Sequence, residues 1–229
     1  IVKCKGLIER EIPAIIGTDT EYHLVYEWVN GQSLDQVSVK KDDVGEILEQ
    51  IVTGLRHGYA QHGVIHRDIK QSNIIRRKDK LVKIIDYGVA RCEGDTKLTV
   101  TQFGGSVGTE QYWAPELSRG EDQTHQSDLY AAGVVAVELL REKPFGKTTM
   151  PTDVIKAFAE MNHVQGELRS KIECLLSNEP SKRRYWEREK VVEPAAVKNV
   201  DDVVEIRTEK AVGTRKHSLM DFDFSFPPE

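Results

Sequence analysis

The chain has 229 residues, 39% hydrophobic and 30% charged, with a formal net charge of −5; this suffices for one domain with a sizeable core, and nucleic acid is not an expected partner. Cys4, Cys92 and Cys174 are odd in number and widely spaced, with neither a disulfide framework nor metal-ligand spacing, so a reducing, cytoplasmic setting is expected. The apolar run at 131–137 is too short to span a bilayer and no signal-peptide pattern opens the chain, which starts at Ile1 and not Met, as if an upstream piece were missing.

In chain order, 1–8 and 22–29 read as strands, with Gly17-Thr18-Asp19-Thr20 as a turn and Asn30-Gly31-Gln32-Ser33 breaking the strand pattern. Asp42 or Asp43 can cap a helix reaching about Gln61, because Val44, Ile47, Leu48, Ile51, Val52 and Leu55 recur at helical spacing. Val64-Ile65 is a short strand leading into His66-Arg67-Asp68-Ile69-Lys70-Gln71-Ser72-Asn73. Ile74 and Ile75 follow, then a turn at Arg76-Arg77-Lys78-Asp79, then a strand at 81–85 that delivers Asp86-Tyr87-Gly88. The basic clusters Arg76-Arg77-Lys78 and Lys182-Arg183-Arg184 read as solvated faces. The irregular stretch 88–113 carries Thr96, Thr99, Thr101, Ser106 and Thr109, hydroxyls that invite phosphorylation. The run 127–140 is apolar nearly all round, so it is a buried helix, and Asp128 near its start needs a partner. Amphipathic helices are expected at 154–161 and 168–176. From Trp186 the pattern loosens, and the acidic-aromatic end 221–228 reads as a disordered or docking tail.

Two acids and an amide at the spacings of Asp68, Asn73 and Asp86 suit phosphoryl transfer. One carboxylate accepts the proton of the attacking hydroxyl; the other, with the amide oxygen, holds metal ions that neutralise a triphosphate. Lys70 projects to the side of Asp68 and can meet charge on the transferred group.

The stretch His66 to Asn73 resembles the protein-kinase catalytic loop, and Asp86-Tyr87-Gly88 resembles that family's metal-binding Asp-Phe-Gly, with Tyr for Phe. Gly108-Thr109 and Ala114-Pro115-Glu116 are similar to the end of its activation segment, and 99–112 is similar to bacterial-type Ser/Thr kinases. The resemblance implies an α+β, protein-kinase-like fold, mostly the helical large lobe with a truncated β small lobe. It implies a remnant of the small lobe at 1–30, the large lobe at 31–185 and a tail at 186–229. The implied activity is transfer of the ATP γ-phosphate to Ser/Thr hydroxyls of protein substrates, with Mg²⁺, and with dimerisation for autophosphorylation. The implied catalytic set is Asp68, Lys70, Asn73 and Thr109, with Asn73 and Asp86 on Mg²⁺. Tyr26, Glu27, Val29 and Ile75 would surround the nucleotide base, with Lys70, Asn73 and Asp86 at the phosphates. Thr101, then Thr99, is the implied phosphosite, with Arg67 as receiver. His66 and Tyr87 would stack, Gly88 would close the metal motif, Asp128 would accept backbone N–H groups of the catalytic loop, and Arg183 would pair with Glu116.

The chain departs from the family before the catalytic loop, where it has neither a Gly-x-Gly-x-x-Gly loop nor a Val-Ala-Ile-Lys-like strand. Either it is a fragment or a kinase-like protein that has lost half its small lobe; one contiguous missing block favours the fragment. A non-catalytic kinase-like binding module is the alternative that those absences support. A small-molecule phosphotransferase of related fold is a third reading, weakened by Thr109 and Ala114-Pro115-Glu116.

Overall fold

The computed structural model describes residues 1–13, 18–92 and 109–186. They fall into two compact units, Val2–Val29 and, together with Ile1, residues 30–186.

The first unit is an antiparallel hairpin of β1 (Cys4–Pro13) and β2 (Thr18–Tyr26), in register from Cys4 opposite Tyr26 to Pro13 opposite Thr18, with an irregularity between Cys4 and Gly6. The strands begin and end several residues away from the expected 1–8 and 22–29, since a ladder extends as far as partners face each other, whatever the local side-chain pattern. Leu7, Ile8 and Leu24 are exposed, while His23 is buried. Glu27 closes the strand mouth, donating its N–H to Lys3 O (2.8 Å) and accepting from Lys3 N at Oε1 (2.9 Å).

The second unit is built on helices. α1 (Val44–His62) buries the stripe Val44, Ile47, Leu48, Ile51, Val52 and Leu55, as its periodicity requires. It stops at Gly63, whose φ of 62° is a left-handed cap, with the Gly63 N–H on Tyr59 O. α3 (His125–Arg141) is buried from Ser127 to Leu140 and packs against α1 and against α5 (Gly166–Leu175). Gly133 permits the close approach to α5, since a Cβ there would sit 3.0 Å from Leu175 Cβ and 3.1 Å from Leu176 Cδ2. α2 (Pro115–Ser118) and α4 (Pro151–Ala159) each start with a proline in the first turn, where no N–H is needed.

Two small sheets frame the loop between α1 and α3. β3 (Gly31–Ser33), β5 (Ile74–Arg77) and β6 (Val82–Ile84) pair antiparallel in the order β3-β5-β6. β4 (Val64–Ile65) pairs with β7 (Arg91–Cys92). The expected break at Asn30-Gly31-Gln32-Ser33 is therefore a strand, and the expected turn at Arg76-Arg77 is ladder. Both depend on a partner distant in sequence: a Cβ on Gly31 would lie 2.5 Å from Arg76 O, so glycine is what lets the strands close. Among the described residues, no helix is long and apolar enough to cross a membrane.

Candidate active site

The hairpin β5–β6 and the ribbon β4–β7 bring the ends of the loop 66–73 and of 86–88 together, with Ile85 N–H on Asn73 O at 2.9 Å. The loop is anchored from below. Asp128, fully buried in the first turn of α3, accepts the N–H groups of His66 (2.7 Å) and Arg67 (2.9 Å), one on each oxygen. Burial pushes the Asp128 carboxyl up to about 7, against the pull of those two N–H groups. Arg67 sits at φ 73°, strained for a side-chain-bearing residue, and the Asp128 bond to its N–H helps to hold it there.

His66 is buried, which pushes its imidazole down to about 4 although Asp68 and Asp86 both pull it upward. The ring is thus neutral near pH 7. Its Nδ1 accepts the Asp68 N–H (3.3 Å), which fixes Nε2 as the nitrogen donating to Ile85 O (3.0 Å). His66 and Tyr87 meet edge-on, centroids 4.6 Å apart at 62°, and not in the expected stack. An edge approach sets the positive rim of one ring against the negative face of the other.

Four of the predicted side chains converge. Lys70 Nζ lies 2.6 Å from Asp68 Oδ2 and donates to Thr109 Oγ1 at 3.2 Å. Thr109 Oγ1 donates to Asp68 Oδ1 at 3.0 Å. Asn73 Nδ2 donates to Asp68 O (2.8 Å) and to Asp68 Oδ2 (3.0 Å). The Asp68 carboxylate is held in one orientation by three side chains, yet is still 13% exposed, so it can meet a hydroxyl from solvent. Asn73 commits its amide nitrogen to Asp68, so its oxygen is the end that could accept a ligand. Asp86 is exposed at φ 65°, with Gly88 N–H on its Oδ1 at 3.3 Å.

Ile75 lies on β5, half-buried, opposite Ser33 and Lys83. Tyr26, the last residue of β2, belongs with Glu27 and Val29 to the hairpin unit. Thr99, Thr101 and Gly108 lie outside the described residues. Arg67 is half-buried, and its guanidinium is pushed down by burial and then by the charge of Arg91. Among the described residues, the Nε atoms of both arginines are buried without a hydrogen-bond partner. Two like charges set together this way form a corner suited to an anion.

Glu116, on α2, makes a bidentate ion pair with Arg183 (2.6 and 2.8 Å) and accepts from Ser127 Oγ (2.9 Å). Arg183 therefore does not belong to a solvated cluster: its side chain is 0% exposed, while Lys182 stays in solvent. Burial pushes the Glu116 carboxyl up, and the hydrogen bonds and charge of Arg183, with Ser127, outweigh it and leave it below the usual carboxylate range.

Sequence reasoning passed over Glu138, the second acid, after Asp128, in the buried run of α3. It accepts from Gln71 Nε2 (2.8 Å), Tyr112 OH (2.8 Å) and Phe145 N (2.7 Å), and burial raises its pKa. A carboxylate among apolar neighbours in the middle of a buried helix was the signal that could have found it, because such a group must have partners.

The family model described as "protein kinase domain" matches residues 1–195, and the chain belongs to that family. It is similar to a probable serine/threonine-protein kinase PknB of Bifidobacterium longum, 38% identical over 127 residues, covering 53% of this chain and 18% of that protein. The serine/threonine-protein kinase PknB of Mycolicibacterium smegmatis is 37% identical over 127 residues, covering 53% and 20%. A probable PknB of Lactococcus lactis is 31% identical over 167 residues, covering 68% and 26%. The matched stretch thus spans about a fifth to a quarter of these relatives' own length.

Proposed function

We propose that this protein kinase domain transfers the γ-phosphoryl group of ATP to serine and threonine hydroxyls of protein substrates. The observation that carries the proposal is the bonded triangle of Asp68, Lys70 and Thr109. Asp68 receives the hydroxyl proton as the serine or threonine oxygen bonds to phosphorus and the bond from phosphorus to the ADP oxygen breaks. Lys70 is close enough to Asp68 to share its substrate and meets the negative oxygens in flight. Thr109 ties the two together and, with Lys70, favours an alcohol acceptor over a phenol.

The residues present suit a divalent ion: an exposed carboxylate at Asp86 and an amide oxygen at Asn73 are the hard donors that Mg²⁺ takes alongside phosphates. When bound, Mg²⁺ would offset charge on the triphosphate. Tyr26, Glu27, Val29 and Ile75 are proposed to contact the base. Arg67, with Arg91 beside it, is proposed to receive a phosphate on Thr101 or Thr99, added between two copies of the chain. We also propose residues 1–30, 31–185 and 186–229 as small-lobe segment, large lobe and tail. A cytoplasmic location is proposed from the three free cysteines.

The test is Asp68→Asn, with transfer to a serine peptide and fluorescent-nucleotide binding both measured. Nucleotide binding stays, and transfer falls by about 10²–10⁴, the usual worth of a general base. Transfer at the wild-type rate would reject the role of Asp68.

A further inference from the structure

The cluster Arg76-Arg77-Lys78 is not an undifferentiated solvated face. Together with Lys40 and Lys80 it lines a groove on the 30–186 unit, which Asn30, Gly31 and Gln32 also line. Only part of this charge is neutralised. Asp43 takes Arg76 at 2.6 Å and Lys80 at 3.3 Å, and those two bonds hold its carboxyl below the usual range. Asp79 takes Arg77 at 2.9 Å. Lys40 and Lys78 are exposed and form no ion pair among the described residues. In a chain of net charge −5 this is a local excess of positive charge.

We propose that the groove is a docking site for an acidic segment of the protein substrate. Its wall carries no aromatic side chain, so it has no platform on which nucleic-acid bases could stack. It does carry the outer strand of a sheet: β3 is at the edge of the order β3-β5-β6, and an extended peptide can use the open side of such a strand. The groove also lies at a useful distance. β5 runs from Ile74, next to Asn73, to Arg77, and four strand residues cover about 13 Å. A substrate gripped there by a few acidic residues can present a hydroxyl to Asp68 without the groove taking part in the chemistry. The proposal rests on the kinase function above.

The test uses the full chain and the double variant Lys40→Glu/Lys78→Glu, both positions exposed and outside the reacting cluster. The probe is a fluorescein-labelled decapeptide of alternating Glu and Gly, followed by anisotropy at low salt, with a Lys-Gly decapeptide and a thymidine decamer as comparators. Expected are binding of the acidic peptide, none of the lysine peptide, and a weakening of about tenfold in the double variant, as two reversed surface charges allow. Wild-type binding should weaken as salt rises, a readout that does not depend on the variant. An absent or variant-insensitive interaction overturns the proposal; so does tighter binding of the oligonucleotide, which would make the groove a nucleic-acid site. In phosphorylation assays the variant keeps kcat and KM on a neutral serine peptide and raises KM only when the acidic segment is fused to it. Failure of the wild type to phosphorylate either peptide would count against the kinase function, while the anisotropy would still decide the groove.

Discussion

The Glu116–Arg183 pair permits a stability prediction that can be worked from its contacts. Both side chains are inaccessible, 2% and 0%, so solvent does not screen them. Replacing Arg183 with Met strands the Glu116 charge, which costs about 3–5 kcal/mol. It also removes the donors to Ser177 O (2.8 Å) and Gln126 O (3.2 Å) and the cation over the Tyr130 ring at 5.0 Å. Ser177 O, left without that donor, adds about 1–3 kcal/mol, whereas Gln126 O sits in the first turn of α3, where the N–H four residues on supplies a partner. Against a total of about 5–15 kcal/mol for a typical domain, that single change comes close to unfolding the protein. Glu116→Leu leaves Arg183 its two carbonyls and its ring, so its cost falls nearer about 3 kcal/mol. The double variant no longer buries an unpaired charge, but Ser177 O stays without the Arg183 donor. Urea unfolding of the four proteins should give a coupling of about 6–8 kcal/mol, the two stranding costs together. A coupling below about 1 kcal/mol, the level of exposed pairs, would refute the claim that this buried pair ties α2 to the end of the domain.

Thr109→Val removes the hydroxyl between Asp68 and Lys70 and should lower transfer by about 10–150-fold, the kinetic equivalent of one hydrogen bond to a charged group; Thr109→Ser should restore most of it, and an active valine variant would deny the bridge a role. His66 and Asp128 oppose each other in the acid range: His66 falls from 6.5 to about 4 on folding, so its stability is lost as pH drops through that window, whereas Asp128 rises from 3.8 to about 7, so its stability is lost as pH climbs. Urea midpoints of the wild type should therefore change little between those pH values while Asp128→Asn gains stability with rising pH, and a variant with no such slope would remove the buried neutral imidazole from the account. Gly31→Ala should lower stability by about 1–3 kcal/mol because its Cβ meets Arg76 O at 2.5 Å; an unchanged urea midpoint would show that β3 is not held in that register.

How much could be read in advance depended on whether a residue's role is set by its neighbours in sequence. Asp68, Lys70, Asn73 and Asp86 are spelled out within one loop and one turn, and the helix α1 is written in its own periodicity. The pairing of Asp128 with the loop, and of Arg183 with Glu116, was legible only through the family resemblance, since neither partner is local. Arg183 shows the limit well. Composition alone puts it with Lys182 and Arg184 in solvent, and the resemblance, then the fold, separates one arginine from its two neighbours. Element ends were missed by several residues for the same reason. β3 forms because β5 comes to it, and β1 runs on to Pro13 because β2 lies alongside, facts absent from either segment alone.

Glu138 and Asp128 show why those hidden pairings matter to the chemistry. Both are carboxylates inside a helix that is otherwise hydrocarbon, and burial works against the charge of each. A helix of the same shape with two leucines would be no less stable by that criterion. What the acids supply is position. Asp128 fixes the backbone at His66 and Arg67, the residues just before Asp68. Glu138 holds Gln71, inside the loop, and Tyr112, just beyond Thr109. The two acids therefore grip the loop on either side of Asp68 and Lys70, and Glu138 also steadies the segment that brings Thr109 over them. A reacting carboxylate that must meet an alcohol within a few tenths of an ångström gains more from a rigid backbone than from additional apolar packing. On that physical ground, the cost of burying charge in α3 is the source of the geometry at Asp68.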